Sequence, residues 1–175
     1  MLLQREPGWM TGTTLVIVCP QIFDPFLEEY RHLNISDLID QMNIEKCLEI
    51  RRLGGGSIFA HPEAMNEQFK AIKEDILYHL VMITDIHRIV ICTHRGCRFR
   101  DEKVGNAACD TDAGKSDLQP AANQLRTLLQ SLPKEVNPRQ KTDKIAIAGA
   151  YSRVLSPVGN EKFGKIIFEC LPTVA

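Results

Sequence analysis

The stretch RIVICTHRGCRF, residues 88–99, joins a predicted strand to a histidine and a cysteine. Its first part is a β-branched, apolar run that predicts a buried strand. The run stops at His94, a glycine that favours a turn follows, and Cys97 lies three residues after the histidine. An imidazole and a thiol at this spacing can hold a metal ion, and they are equally compatible with a buried histidine beside an inert thiol.

The composition is that of an ordinary globular chain and excludes several classes of function. The 175 residues are enough for one domain with a substantial core, and 44% are hydrophobic and 25% charged. A net charge of -1 gives no field that would attract nucleic acid or anionic lipid. No apolar run approaches the roughly 18 residues of a membrane span, and the first ten residues lack the apolar core of a secretory signal. We therefore expect a single cytoplasmic domain over residues 1–175 that binds neither nucleic acid nor membrane.

Short apolar runs alternate with helical patterns along the chain, which predicts an α/β fold with a mainly parallel β-sheet flanked by helices. Parallel sheets of this kind bind ligands outside the carboxyl ends of their strands. The predicted strands are 13–19, 47–53, 88–93, 145–148 and 165–170, and the predicted helices are 25–33, 36–43, 62–84 and 118–132.

Three groups fall at such carboxyl ends: Cys19, the loop 51–56, and His94 with Cys97. Two thiolates and one imidazole suit zinc, which takes tetrahedral nitrogen and sulfur ligands. The two thiolates cancel the charge of the ion, and a neutral site is less costly to bury than a charged one. Three protein ligands leave a fourth position for water, whose pKa zinc lowers to about 7, so that a hydroxide nucleophile forms at neutral pH.

The other thiols and imidazoles are weaker candidates. Six scattered cysteines do not form a disulfide scaffold, and thiols in a reducing compartment are more often buried fillers, metal ligands or nucleophiles. Cys92 should point to the opposite strand face from Thr93, into packing. The remaining cysteines and histidines are best interpreted as filler, surface or helix-face residues: Cys47, Cys109, Cys170, His32, His61, His79 and His87.

The order of these signals resembles that of the β-class carbonic anhydrases. That family has a strand ending in C-x-D-x-R, a strand ending in an R-N-A-G-type turn, a helix, and a strand ending in G-H-x-x-C-G. This chain has VCPQIF at 18–23, EIRRLGGGSIF at 49–59, a helix, and then the stretch 88–99. Its end, IAIAGAYSRVL at 145–155 and GKIIFECL at 164–171, is similar to the closing strands of the family.

The resemblance implies a zinc ion held by Cys19, His94 and Cys97, a homodimer with the site near the subunit interface, and carbon dioxide or bicarbonate as the small-molecule substrate. The motifs also depart from the family pattern. In C-x-D-x-R the aspartate accepts a hydrogen bond from the zinc-bound water, and the arginine pairs with the aspartate. Gln21 and Phe23 occupy those positions here, and Gln21 could accept through its amide oxygen but could not act as a base. Both charges are absent together, which avoids a buried unpaired charge.

Two functions follow from this pattern, and a third has less support. The first is a weak hydro-lyase that adds water to carbon dioxide or a related heterocumulene, with Gln21 in the catalytic position. The second is a non-catalytic homologue that acts as a binding or structural dimer. An α/β nucleotide-binding or thiol-redox protein is the third, and neither a phosphate-binding fingerprint nor a C-x-x-C motif supports it.

Three further features allow two interpretations each. The arginines at 95, 98 and 100 could clamp an anion, or they could form a solvated loop that pairs with Asp101 and Glu102. The glycines at 54–56 could cradle a phosphate, or they could form a steric turn, which their spacing favours. The segment DTDAGKSD at 110–117 lacks two positions of a calcium loop and is predicted to be a surface loop.

Overall fold

A computed structural model describes residues 12–20, 35–83, 85–105, 112–132, 141–154 and 166–174. The strands within these ranges are β1 (Thr13–Val18), β2 (Lys46–Arg51), β3 (Ile86–His94), β4 (Ala146–Val154) and β5 (Ile166–Val174). The helices are α1 (Ile35–Gln41), α2 (Ser57–Ala60), α3 (Asn66–Met82), α4 (Arg98–Val104) and α5 (Ala113–Ser131), and a 3-10 turn (Thr142–Lys144) precedes β4.

The strands form one sheet in the order β2-β1-β3-β4-β5. The first four strands run parallel to one another, and β5 runs antiparallel to β4. Parallel strands need crossover connections, which the helices between β1, β2, β3 and β4 supply. The fold is therefore α/β with a mainly parallel sheet flanked by helices, as the sequence predicts.

Helices cover both faces of the sheet. On one face, α2, α3 and α5 pack against the strands, and Ile72, Ile76 and Leu80 of α3 form a buried row at four-residue spacing. On the other face, Leu38 of α1 packs against β1, β3 and β4. None of the described helices has the length and apolarity needed to cross a membrane.

Helix boundaries differ from the sequence-based expectation in several places, and α3 spans Asn66–Met82 rather than 62–84. Helix α5 begins at Ala113 rather than Leu118, so the second half of the segment predicted to be a surface loop is helical. Gly114 is buried against the His94 carbonyl, and this tertiary packing outweighs the low helix propensity of the glycine. The short helices α2 and α4 were not predicted, and the helix predicted at 25–33 lies outside the described residues.

The parallel strands place three predicted site segments at one edge of the sheet. Ile17 of β1 pairs with Ile50 of β2 and with Ile91 of β3, so the carboxyl ends of these three strands meet. Cys19 follows β1 directly, the glycine turn 54–56 follows β2, and His94 ends β3. This edge carries the candidate site.

Candidate metal centre

Cys19, His94 and Cys97 form a compact buried cluster at the carboxyl edge of the sheet. Their ligand atoms all lie within 4.8 Å of one another, and the Cys19 and Cys97 sulfur atoms are 3.9 Å apart. The residues are 0%, 1% and 4% exposed, in chain order. In the described part of the chain, no other group of three His, Cys, Asp or Glu side chains comes together in this way. The group brings together all three side chains that the sequence analysis selected as ligands, and it could hold a metal ion.

The glycine turn after β2 holds Cys19 in place. The backbone N–H of Gly54 donates a hydrogen bond to the Cys19 sulfur at 3.4 Å. Gly55 has a φ of +50°, and a Cβ at this position would lie 2.7 Å from both the Cys19 nitrogen and the Cys92 carbonyl oxygen. The turn is therefore steric, as its spacing suggested: without a Cβ at Gly55, three backbone segments can approach one another.

The ring of His94 is oriented by the loop that follows it. Its Nδ1 lies 3.1 Å from the Arg95 carbonyl oxygen. A carbonyl oxygen can only accept a hydrogen bond, so Nδ1 carries the proton in the neutral ring and Nε2 carries the lone pair. Metal-bound histidines are commonly oriented by a hydrogen bond of this kind from the second ring nitrogen.

The Cys97 thiol would lose its proton when a cation binds. Its hydrogen bond with Cys19 and its burial raise the pKa of Cys97 above the ordinary thiol value, and the interaction with His94 lowers that pKa only in part. The protein without metal therefore holds Cys97 as a neutral thiol near pH 7. A divalent cation would favour the thiolate, because a positive charge beside the sulfur stabilises its ionised form.

The spacing of the cluster fits zinc. Two sulfur atoms that bind one zinc ion at about 2.3 Å with tetrahedral angles lie about 3.8 Å apart. The Cys19 and Cys97 sulfur atoms are 3.9 Å apart, so little movement is needed for both to reach a common ion. A donor set of two sulfurs and one nitrogen is also the chemistry that a borderline-soft divalent ion takes.

The remaining thiols lie elsewhere. Cys92 is fully buried in the core on the α1 face of the sheet, as predicted from strand alternation. Burial, followed by the charge of Glu49, raises the pKa of Cys47 to about 11. Burial also raises the pKa of Cys170. Gln21, predicted to occupy the catalytic position, and Phe23 lie outside the described residues, as does Cys109.

The three arginines after His94 do not share one environment. Arg98 is exposed, and the exposed Arg95 lies 3.9 Å from an Asp112 carboxylate oxygen. The interpretation as a solvated loop is wrong for Arg100, which is 9% exposed and pairs with Asp117 as well as with Asp101. Arg100 and Asp117 are 17 residues apart in the chain, so no local pattern indicates their pairing.

His61 also departs from the expected surface role. Its Nε2 donates a hydrogen bond to the Asp117 carboxylate at 2.8 Å, and its side chain is 27% exposed. His61 and Asp117 are 56 residues apart in the chain, so no local pattern indicates their contact. His79 is different, because its Nδ1 donates to the Asp75 carbonyl one turn earlier on its own helix, as expected of a helix-face residue.

Comparison with known proteins identifies no relative of the chain. No protein-family model, curated protein or solved structure matches the chain.

Proposed function

We propose that the chain is a zinc-binding protein of the β-carbonic-anhydrase type that hydrates carbon dioxide or a related small heterocumulene, with weak activity. The observation that carries the proposal is the Cys19, His94 and Cys97 cluster at the carboxyl edge of a mainly parallel sheet. The same residues carry the resemblance to the C-x-D-x-R and G-H-x-x-C-G motifs.

The donor set determines the chemistry at this edge. When bound, a zinc ion supplies a Lewis acid that ionises water near neutral pH. Cys19 and Cys97 would hold it as thiolates, and their two negative charges leave the buried site without net charge. The Arg95 carbonyl fixes the orientation of the His94 ring, and the Gly54 N–H moderates the charge on the Cys19 sulfur.

The degenerate first motif explains why the expected activity is weak. An acceptor that orients the attacking water must lie beside the metal, and the family pattern uses a carboxylate with a paired arginine for this task. Gln21 and Phe23 occupy those positions in this chain, so an amide replaces the carboxylate and the cation is absent. The same substitution favours the second candidate, a non-catalytic homologue that keeps its metal for structure or binding.

Metal analysis combined with stopped-flow carbon dioxide hydration tests the proposal. We expect about one zinc per chain and slow hydration above the rate of the same protein after removal of zinc by a chelator. A chain that stays free of zinc after expression in zinc-replete medium would contradict the proposal as a whole. A zinc-loaded chain with no hydration above the chelated control would favour the non-catalytic homologue.

A further inference from the structure

Asp117 is the buried centre of a polar network that joins α5 to Arg100 of α4 and to His61. Its Oδ2 accepts a hydrogen bond from Arg100 Nε at 3.0 Å, and its Oδ1 accepts from Arg100 Nη2 at 3.4 Å and from His61 Nε2 at 2.8 Å. The Asp117 side chain is only 6% exposed, and that of Arg100 is 11% exposed. A carboxylate that is buried and bonded to two donors on other segments holds those segments in one geometry.

The two donors come from segments that carry or support a metal ligand. Arg100 lies in the first turn of α4, three residues after Cys97, and the Asp101 N–H donates to the Cys97 carbonyl to close that turn. His61 directly follows α2, whose first turn is continuous with the glycine turn at Gly54 and Gly55 that contacts Cys19.

The segment of Asp117 itself supports the third ligand. Gly114 lies one turn earlier on α5, and a Cβ added there would lie 2.9 Å from the His94 carbonyl oxygen. The Gly114 carbonyl also accepts a hydrogen bond from the Thr93 hydroxyl at 2.7 Å. The start of α5 therefore rests on the end of β3, where His94 lies.

We propose that Asp117 is a positioning residue of the metal centre, because its carboxylate joins the three segments that place Cys19, His94 and Cys97. The inference rests on the proposed function only in requiring that these residues bind a metal ion. A ligand set that is held together before binding loses less conformational entropy when the ion enters. Loosening any one segment then weakens metal affinity, although Asp117 does not bind the ion.

The variant Asp117→Asn tests the inference, because it keeps the shape of the side chain and removes its charge. Zinc affinity is measured by competition with a chromophoric chelator, and the visible spectrum of the Co²⁺-substituted protein reports the ligand geometry. We expect the zinc Kd to rise at least about tenfold, the lower end of the effect of removing groups around a metal site. We also expect the Co²⁺ bands to shift or broaden.

Asp85→Asn is the matched control. Asp85 accepts a hydrogen bond from the Thr13 hydroxyl at 2.9 Å and pairs with Lys46 at 3.7 Å, at the amino ends of β1, β2 and β3. The same chemical change there removes the charge that pairs with Lys46, at the opposite edge of the sheet from the metal centre. We expect this variant to keep the wild-type zinc Kd and Co²⁺ spectrum, whatever its unfolding temperature.

The outcomes separate this inference from the proposed function. A wild-type chain that binds neither Zn²⁺ nor Co²⁺ overturns both. A wild-type chain that binds metal, with an Asp117→Asn variant of unchanged Kd and spectrum, overturns the inference alone. An equal loss of affinity in Asp85→Asn also overturns it, because the effect would then be one of general stability.

If Asp117→Asn does not fold, Arg100→Lys replaces it, since a lysine keeps the charge and loses the forked contact with the carboxylate.

Discussion

At the scale of single residues, the thiols of Cys19 and Cys97 share a buried hydrogen bond. The hydrogen bond with Cys19 and burial raise the pKa of Cys97, so a cation close by would be needed to favour its thiolate. The charge of a bound metal ion meets this need, whereas the interaction of His94 with Cys97 offsets only part of the rise in pKa. The shared cluster with His94 distinguishes the pair from the other thiols of the described chain.

Replacing one ligand should therefore remove the metal. In Cys97→Ser a hydroxyl stands in for the thiolate, and we expect zinc content to fall from about one per chain to near zero after dialysis, because serine is a poor zinc ligand. Cys47→Ser is the control, since Cys47 is a half-buried thiol of β2 outside the cluster. Atomic emission on the dialysed proteins measures both. Retention of zinc by Cys97→Ser would show that the ion binds elsewhere.

The substituted first motif gives a second prediction at this scale. Gln21→Asp combined with Phe23→Arg should raise the stopped-flow hydration rate about 10- to 100-fold, the range over which groups around a metal site act. Gln21→Asp alone should help less, because the new carboxylate would lack a cationic partner. A wild-type chain as fast as an ordinary carbonic anhydrase would refute this argument. So would a double variant that binds zinc and gains no rate.

At the scale of the elements, the chain order of strands and helices was enough to predict where Cys19, His94 and Cys97 would meet. β1 and β3 contain β-branched runs, and parallel strands bring their carboxyl ends to one edge. The start of α5 could not be predicted, because Gly114 is placed by the packing of that helix on β3. The Asp117 network was equally inaccessible, since its partners lie 17 and 56 residues away.

The glycine turn after β2 supplies a prediction about an element. Gly55→Ala places a Cβ 2.7 Å from two backbone atoms at a φ of +50°, so the turn must move away from β1 and β3. We expect the free energy of unfolding to fall by more than the roughly 1–3 kcal/mol of local backbone strain alone. We also expect zinc affinity to fall, because the Gly54 N–H would leave the Cys19 sulfur.

Gly105→Ala separates the effect of backbone strain from the effect of the close approach at Gly55. Gly105 also has a positive φ, +85°, but a Cβ there would meet no atom of the described residues within 4 Å. In Gly105→Ala the free energy of unfolding should fall only by the strain energy, and the zinc affinity should stay at the wild-type value. Urea denaturation gives the free energies of unfolding, and chelator competition gives the affinities. Equal effects of the two variants on both quantities would mean that the close approach at Gly55 has no particular role.

At the scale of the whole molecule, the first prediction concerns assembly. The resemblance implies a homodimer, and the N-terminal segment around Trp9, which lies outside the described residues, is apolar enough to pack on a second copy. Light scattering at micromolar concentration should give twice the chain mass of 19.7 kDa. A mass of one chain under these conditions would contradict the prediction.

The second prediction concerns stability, which metal binding links to the whole fold. An ion that binds only the folded chain stabilises it by about 2.7 kcal/mol at a free concentration 100 times its Kd. For a chain of this size, each kcal/mol moves the unfolding temperature by about 2–4 °C, so zinc should raise that temperature by about 5–11 °C. Differential scanning calorimetry with and without a chelator measures the change, and Cys97→Ser should show none.

The stability of the protein should depend on pH with opposite signs in the metal-free and the zinc-bound forms. Without metal, the folded chain raises the pKa of Cys97 above the roughly 8.5 of an unfolded thiol. The unfolded state then loses its proton first, and the metal-free protein loses stability as pH rises above about 8.5. With zinc, the thiols are ionised in the folded state and protonated in the unfolded state below that pH, so stability falls as pH falls. The zinc-induced rise in unfolding temperature should therefore grow between about pH 6 and pH 8, and an equal rise at both values would mean that thiolates do not hold the ion.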